Sequence, residues 1–187
     1  MAVVAVVGCA AGGLDELIEG LIRPLVDRGQ TVTVVVTPAA AAWLQDSGQD
    51  DVIAQVTGLP VRSTPRLPRE QSAHPAPDVL VAAPMTANST AKLALGLADN
   101  QALTLLCENV AIKPTIVFPR INVAHARQPA WKGHLDALRA ADVDLVYGED
   151  VWPLYEPRQS PADRQLPWRR ILEVTEAAIS RVAGPRS

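Results

Sequence analysis

Three runs of apolar residues set the rhythm of the chain. Val3–Val7, Thr31–Val36 and Asp78–Ala83 are short, continuous and rich in Val or Ala, as strands buried on both faces are. Between the first two, Leu14, Leu17, Ile18, Leu21, Ile22 and Leu25 recur at helical spacing. This β-loop-α-β unit opens a parallel, doubly wound sheet. The pattern continues with a helix over Asn88–Leu97, a strand at Thr115–Phe118, a helix over Gly133–Ala141 and a strand at Leu145–Tyr147. Leu103–Cys107 is too short for its length to decide between strand and helix. Trp168–Val182 has helical spacing and closes the fold. The fold class read from this pattern is α/β, a single domain spanning residues 1–187. Thr57–Pro77 and Glu149–Pro167 lack any period and read as long functional loops.

At 187 residues the chain is long enough for one substantial core. Apolar residues make up 48% and aromatics only 4%, so Ala and Val must build that core. A net charge of −3 with no basic stripe argues against nucleic acid as a partner. No run is long enough to span a bilayer, and Met1–Val7 has no basic segment before it. Two cysteines, Cys9 and Cys107, do not form a disulfide framework. A cytoplasmic protein without a metal site is expected.

In a doubly wound sheet, ligands bind beyond the carboxyl ends of the strands. The first such end is Gly8-Cys9-Ala10-Ala11-Gly12-Gly13, a small-residue loop. It departs from a dinucleotide fingerprint because Ala10 replaces the second glycine, yet it still lets backbone N–H groups approach an anion. The second end, Thr37-Pro38, offers a hydroxyl and a helix start. The third, Pro84-Met85-Thr86-Ala87-Asn88-Ser89, crowds three short polar side chains around a helix N-terminus, more than capping alone requires.

This third segment, with Ala91-Lys92-Leu93-Ala94-Leu95-Gly96-Leu97-Ala98-Asp99-Asn100 behind it, resembles the P-A-S-A-N-T motif of the homo-oligomeric flavin-containing cysteine decarboxylases. Gly8-Cys9-Ala10-Ala11 resembles the family's G-S-x-A flavin loop, with Cys9 in place of Ser. Pro119-Arg120-Ile121-Asn122-Val123-Ala124-His125 resembles the substrate clamp P-x-M-N-x-x-M-W, with His125 in place of Met. The resemblance implies a Rossmann-like flavoprotein fold holding FMN, with FAD as the alternative. Gly8, Cys9, Ala10, Ala11, Thr37, Thr86, Ala87, Asn88, Ser89 and Arg120 would then contact the cofactor, and Asn122 and His125 the substrate. His74, the only histidine before the third strand, takes the family's acid/base role, and Asn122 anchors the substrate carboxylate or the adjacent amide.

The implied reaction is oxidative decarboxylation of the C-terminal cysteine of a precursor peptide to an enethiol, the precursor of an aminovinyl-cysteine ring. Phosphopantothenoylcysteine decarboxylases carry a further cysteine near the C-terminus, which Glu149–Pro167 and the residues after it lack. The implied assembly is a trimer or dodecamer with flavin sites between subunits. Two other readings stand beside it: a flavin-dependent reductase of pterins or quinones, and a non-catalytic flavin-binding regulatory subunit. Trp131, Trp152 and Trp168, with Tyr147 and Tyr155, read first as core residues, with subunit contacts or the lining of a peptide groove as the alternatives. Arg158, Arg164, Arg169 and Arg170 read as a solvated face.

Overall fold

The computed structural model describes residues 1–159 and 165–184. Arg164 therefore lies outside the described residues. Five strands form one wholly parallel sheet: β1 (Val3–Gly8), β2 (Thr31–Val36), β3 (Val79–Met85), β4 (Thr115–Pro119) and β5 (Asp144–Leu145). Their spatial order is β2-β1-β3-β4-β5, with Val4 opposite both Val32 and Val79. The α/β, doubly wound parallel sheet expected from the apolar runs is what forms.

The period of two in each strand divides the core into two layers. On one face Val4, Val6, Val34, Val81, Ile116 and Phe118 pack against Leu17, Leu21 and Leu25, and against Ile171 and Ala178 of the C-terminal helix. On the other, Ala5, Val7, Leu80, Ala82 and Val117 meet Leu93, Leu103, Leu106 and Leu138. Helices thus cover both faces, which explains why β1 and β3 are apolar throughout. No helix among the described residues is long and apolar enough to cross a membrane.

The helical layer differs from expectation in several places. The apolar stripe from Leu14 to Leu25 is not one regular helix. It is a 3₁₀ turn (Leu14–Glu16), a π-helical turn (Ile18–Ile22) and then α1 (Arg23–Asp27). Pro24 has no N–H to give the carbonyl of Gly20, and its ring crowds that carbonyl, so the preceding turn widens. Gly20 also lies against Trp168, where an added Cβ would meet the indole at 2.5 Å.

Helices α2 (Pro38–Asp46) and α3 (Gln49–Thr57) follow β2. Leu103–Cys107 is helical, within α5 (Gln101–Asn109), whose Asn100 cap accepts the N–H of Leu103. The helix after β3, α4 (Ala87–Ala94), stops three residues short of Leu97. Gly96, at φ 69°, donates to Leu93 while Leu97 donates to Lys92, the two bonds of a Schellman stop. After β4 come the single turn α6 (Val123–Ala126) and α7 (Trp131–Ala140), and α8 (Trp168–Ala183) ends the described chain. The last strand is Asp144–Leu145, not Leu145–Tyr147, although Val146 still donates to Val117.

Trp131 and Trp152 are buried, as expected of core residues, and Tyr147 and Tyr155 pack edge-on against them. Trp168 is half-buried, its indole N–H donating to Glu16 at 2.7 Å. Arg158, Arg169 and Arg170 are exposed.

Candidate functional site

The chain leaves β1 toward β2 on one side of the sheet and later returns to place β3 on the other. The order reverses there, and a crevice opens outside the carboxyl ends of β1 and β3, the usual ligand position in such sheets. Cys9 N–H donates to the Pro84 carbonyl at 3.0 Å, fastening the two loops together at that point.

A cavity of about 400 Å³ lies in this crevice. Ala10, Ala11 and Gly12 line it from the first loop, Thr86, Ala87 and Asn88 from the start of α4, and Arg120 and His125 from the segment after β4. Trp43 of α2 and Tyr155 complete the wall. Seven of the residues singled out in the sequence therefore meet in one place.

Others stand behind the wall. Gly8 is closely packed: a Cβ there would meet Leu14 at 3.0 Å and Val36 at 3.3 Å, so both side chains would have to give way. Thr37 is buried and caps α2, its hydroxyl accepting from Ala40 N–H at 3.4 Å. Thr86 caps α4: its hydroxyl accepts from Ser89 N–H and donates to the Ser89 hydroxyl, both at 3.1 Å. Ser89 in turn meets the Cys9 thiol. Burial pushes that thiol up from its ordinary value, against the lowering by Ser89 and the Thr86 backbone. Burial thus favours the neutral thiol of Cys9, which packs beneath the loop.

The clamp after β4 is built by capping. Asn122 starts α6, its Oδ1 accepting His125 N–H at 3.1 Å, and His125 Nδ1 lies 3.1 Å from the same oxygen. Arg120 runs back across the cavity. Its guanidinium carbon lies 4.4 Å from the Trp152 ring centre and 4.7 Å from that of Tyr155, and Nη1 donates to the Tyr155 hydroxyl at 2.6 Å. The Arg120 Nε is buried with no hydrogen-bond partner among the described residues. A buried N–H in that state costs about 1–3 kcal/mol.

His74 is not brought here. It borders a separate cavity of about 550 Å³ with Thr33, Arg62 and Thr104, and its Nε2 lies 2.7 Å from the Pro60 carbonyl. Burial holds its pKa below the ordinary histidine value, with the nearby Arg62 charge in the same direction.

The donor set fits a flavin mononucleotide. The N–H groups of Ala87 and Asn88 open α4 and have no helical partner, and those of Ala10 and Gly12 have none among the described residues. Such a cluster of amides, beside a guanidinium that no carboxylate among the described residues neutralises, suits an anionic, hydrogen-bonding ligand. The volume lies within the usual range of about 300–1,000 Å³ for ligand pockets.

Three wall residues were not singled out as site residues in the sequence: Trp43, Gly12, and Tyr155, which reads as a core residue there. The signal for Trp43 was an aromatic six residues beyond Thr37 on an alanine-rich helix; it is 54% exposed at the cavity mouth. For Gly12 the signal was its place in the loop, where a Cβ would sit 3.3 Å from Arg120 Nη2.

Comparison with known proteins places these features in context. The coenzyme A biosynthesis bifunctional protein CoaBC of Escherichia coli K12 is 28% identical over 151 residues, which cover 78% of this chain and 36% of that protein. The chain thus spans little more than a third of that relative. Among solved structures, the FMN-dependent cysteine decarboxylase SpaF superposes with a TM-score of 0.70 at 23% identity, covering 98% of each chain. TvaF, an FMN-dependent cysteine decarboxylase from thioviridamide biosynthesis, gives 0.68 at 21% identity, covering 96% of this chain and 99% of its own. At such identities the likeness is one of fold. The Flavoprotein family model matches residues 4–180, nearly the whole length, and this chain belongs to that family.

Proposed function

We propose that the chain binds FMN in the crevice between β1 and β3 and decarboxylates the C-terminal cysteine of a peptide. The observation that carries this reading is convergence: the 10–12 loop, the Thr86-capped start of α4 and the Asn122–His125 clamp all border one cavity or support its wall. SpaF and TvaF are FMN-dependent cysteine decarboxylases, and together with the family they support the same reading.

Ala10, Gly12, Ala87 and Asn88 would hold the cofactor through backbone and amide hydrogen bonds. Bound FMN supplies a two-electron oxidant, able to raise the cysteine side chain to a thioaldehyde. A thioaldehyde carbon is an electron sink β to the carboxylate, so carbon dioxide leaves and an enethiol remains. The protein's share is orientation and proton movement. Asn122 has its Oδ1 engaged by His125 twice, which leaves its Nδ2 hydrogens for the substrate carboxylate or the adjacent amide. His125 borders the cavity and holds or releases a proton at Nε2.

In the trimer or dodecamer that the family resemblance implies, His74 would serve the cavity only from a neighbouring copy. The exposed Leu95, Leu97 and Ile112 suit such contacts. The similarity to CoaBC favours a second reading, in which the substrate is a smaller cysteinyl amide and not a peptide.

The test is anaerobic. The protein should purify yellow, and adding a Cys-terminated peptide without oxygen should bleach the visible band. A colourless protein that gains no absorbance from added FMN excludes the flavin. A yellow protein that bleaches with small cysteinyl amides but not with peptides selects the second reading.

A further inference from the structure

Arg120 lies at the cavity wall with a charge that the described residues meet only through two aromatic rings and one hydroxyl. Its single side-chain hydrogen bond among the described residues is Nη1 to the Tyr155 hydroxyl, at 2.6 Å. No carboxylate pairs with it, whereas Arg127 finds Glu156 at 2.8 Å and Arg181 finds Asp144 at 2.6 Å. The guanidinium lies over the rings of Trp152 and Tyr155, contacts that hold it in place and leave its net charge intact. The Gly12 backbone lies so near Nη2 that a Cβ would come within 3.3 Å. The fork is thus fixed beside the cavity before any ligand arrives. A planar, pre-oriented guanidinium matches the two oxygens of a carboxylate or phosphate. The partnerless amides of Ala10 and Gly12, and the start of α4, add positive potential at the same wall.

We propose that Arg120, steadied by Trp152 and Tyr155, is the anchor for an oxyanion entering this cavity. Two ligands of the reading above carry one: the phosphate of the mononucleotide and the C-terminal carboxylate of the peptide. The inference rests on that reading for its ligands, but not for the anchor itself.

The test compares the wild type with Arg120→Gln. FMN and riboflavin are titrated into flavin-free protein by fluorescence quenching. Peptides ending in serine, as acid and as carboxamide, are titrated into the FMN-loaded protein by calorimetry, since serine in place of cysteine cannot be oxidised in the same way. For one of the two pairs the wild type should prefer the anionic member by about tenfold or more, and Arg120→Gln should erase that preference. Collapse of the FMN preference assigns the anchor to phosphate; collapse of the acid preference assigns it to carboxylate. Both ratios unchanged in Arg120→Gln overturns the proposal. If that variant does not fold, Arg120→Lys and Tyr155→Phe take its place, the first losing the fork and the second its support. Unchanged ratios in both overturn it equally.

A wild type that binds neither flavin defeats the reading of the preceding subsection. The anchor is then judged on inorganic phosphate: saturable binding lost in Arg120→Gln supports it, and no binding, or equal binding in both, overturns it.

Discussion

His125 Nδ1 and Asn122 Oδ1 lie 3.1 Å apart, and the same oxygen accepts the backbone N–H of His125. The backbone bond fixes which way the Asn122 amide points, because only its oxygen accepts. The ring nitrogen facing that oxygen must then carry the hydrogen, so a neutral His125 presents its lone pair at Nε2.

From this pairing, His125→Asn should keep the flavin and lose about 10²–10⁴ in decarboxylation rate, the usual worth of a general acid or base. Asn122→Asp should weaken substrate binding and rate together, by setting a carboxylate against the substrate carboxylate. His74→Asn is the comparison, with flavin occupancy checked by absorbance in each case. Full activity in His74→Asn leaves the proton transfer with His125. Lost activity there, beside an active His125→Asn, moves it to His74 of a neighbouring copy.

His74 makes a separate prediction about stability. Burial lowers its pKa in the folded chain below the ordinary 6.5, so the unfolded chain binds its proton first as pH falls. Its stabilising contribution is complete above pH 6.5 and is lost as pH falls through the lowered folded value. Urea midpoints measured from about pH 8 down to about pH 5 should fall, and His74→Asn should flatten part of that slope. An identical slope in the variant would assign the pH dependence to other groups.

Gly20→Ala sets two effects against each other. Alanine favours a helix by about 1 kcal/mol over glycine. Its Cβ, however, would meet the Trp168 ring at 2.5 Å, and that ring is tied to Glu16 through its indole N–H. Overpacking of this kind costs about 1–3 kcal/mol, so we expect net destabilisation, read as a lower urea midpoint at unchanged slope. A higher midpoint would show that Trp168 yields freely.

The sheet was legible in the sequence because strands buried on both faces are uninterrupted apolar runs. The third strand end was legible because Thr86, Asn88 and Ser89 together exceed what one cap needs. Elsewhere the signal was local and easily missed. Asn100 was the cap that decided for helix at Leu103, and Gly48 and Gly58 framed α3, of which Ile53 is the one fully buried residue. The break at Ile18–Ile22 depends on Pro24 and on Trp168, a contact made far along the chain. The Arg120–Tyr155 bond likewise joins residues 35 apart, which no period or motif announces. His74 is the reverse case: position in the chain suggested a role at the cavity, and the single chain places it at another.

Oxidative decarboxylation of a terminal cysteine leaves its plainest mark in the mass of the product. The FMN-loaded protein is incubated with a Cys-terminated peptide, and the peptide is weighed. A loss of about 46 Da, carbon dioxide and two hydrogens together, is the predicted result, since the cofactor takes the electrons and the carboxylate departs. A peptide of unchanged mass after incubation with protein that demonstrably holds FMN would contradict the account.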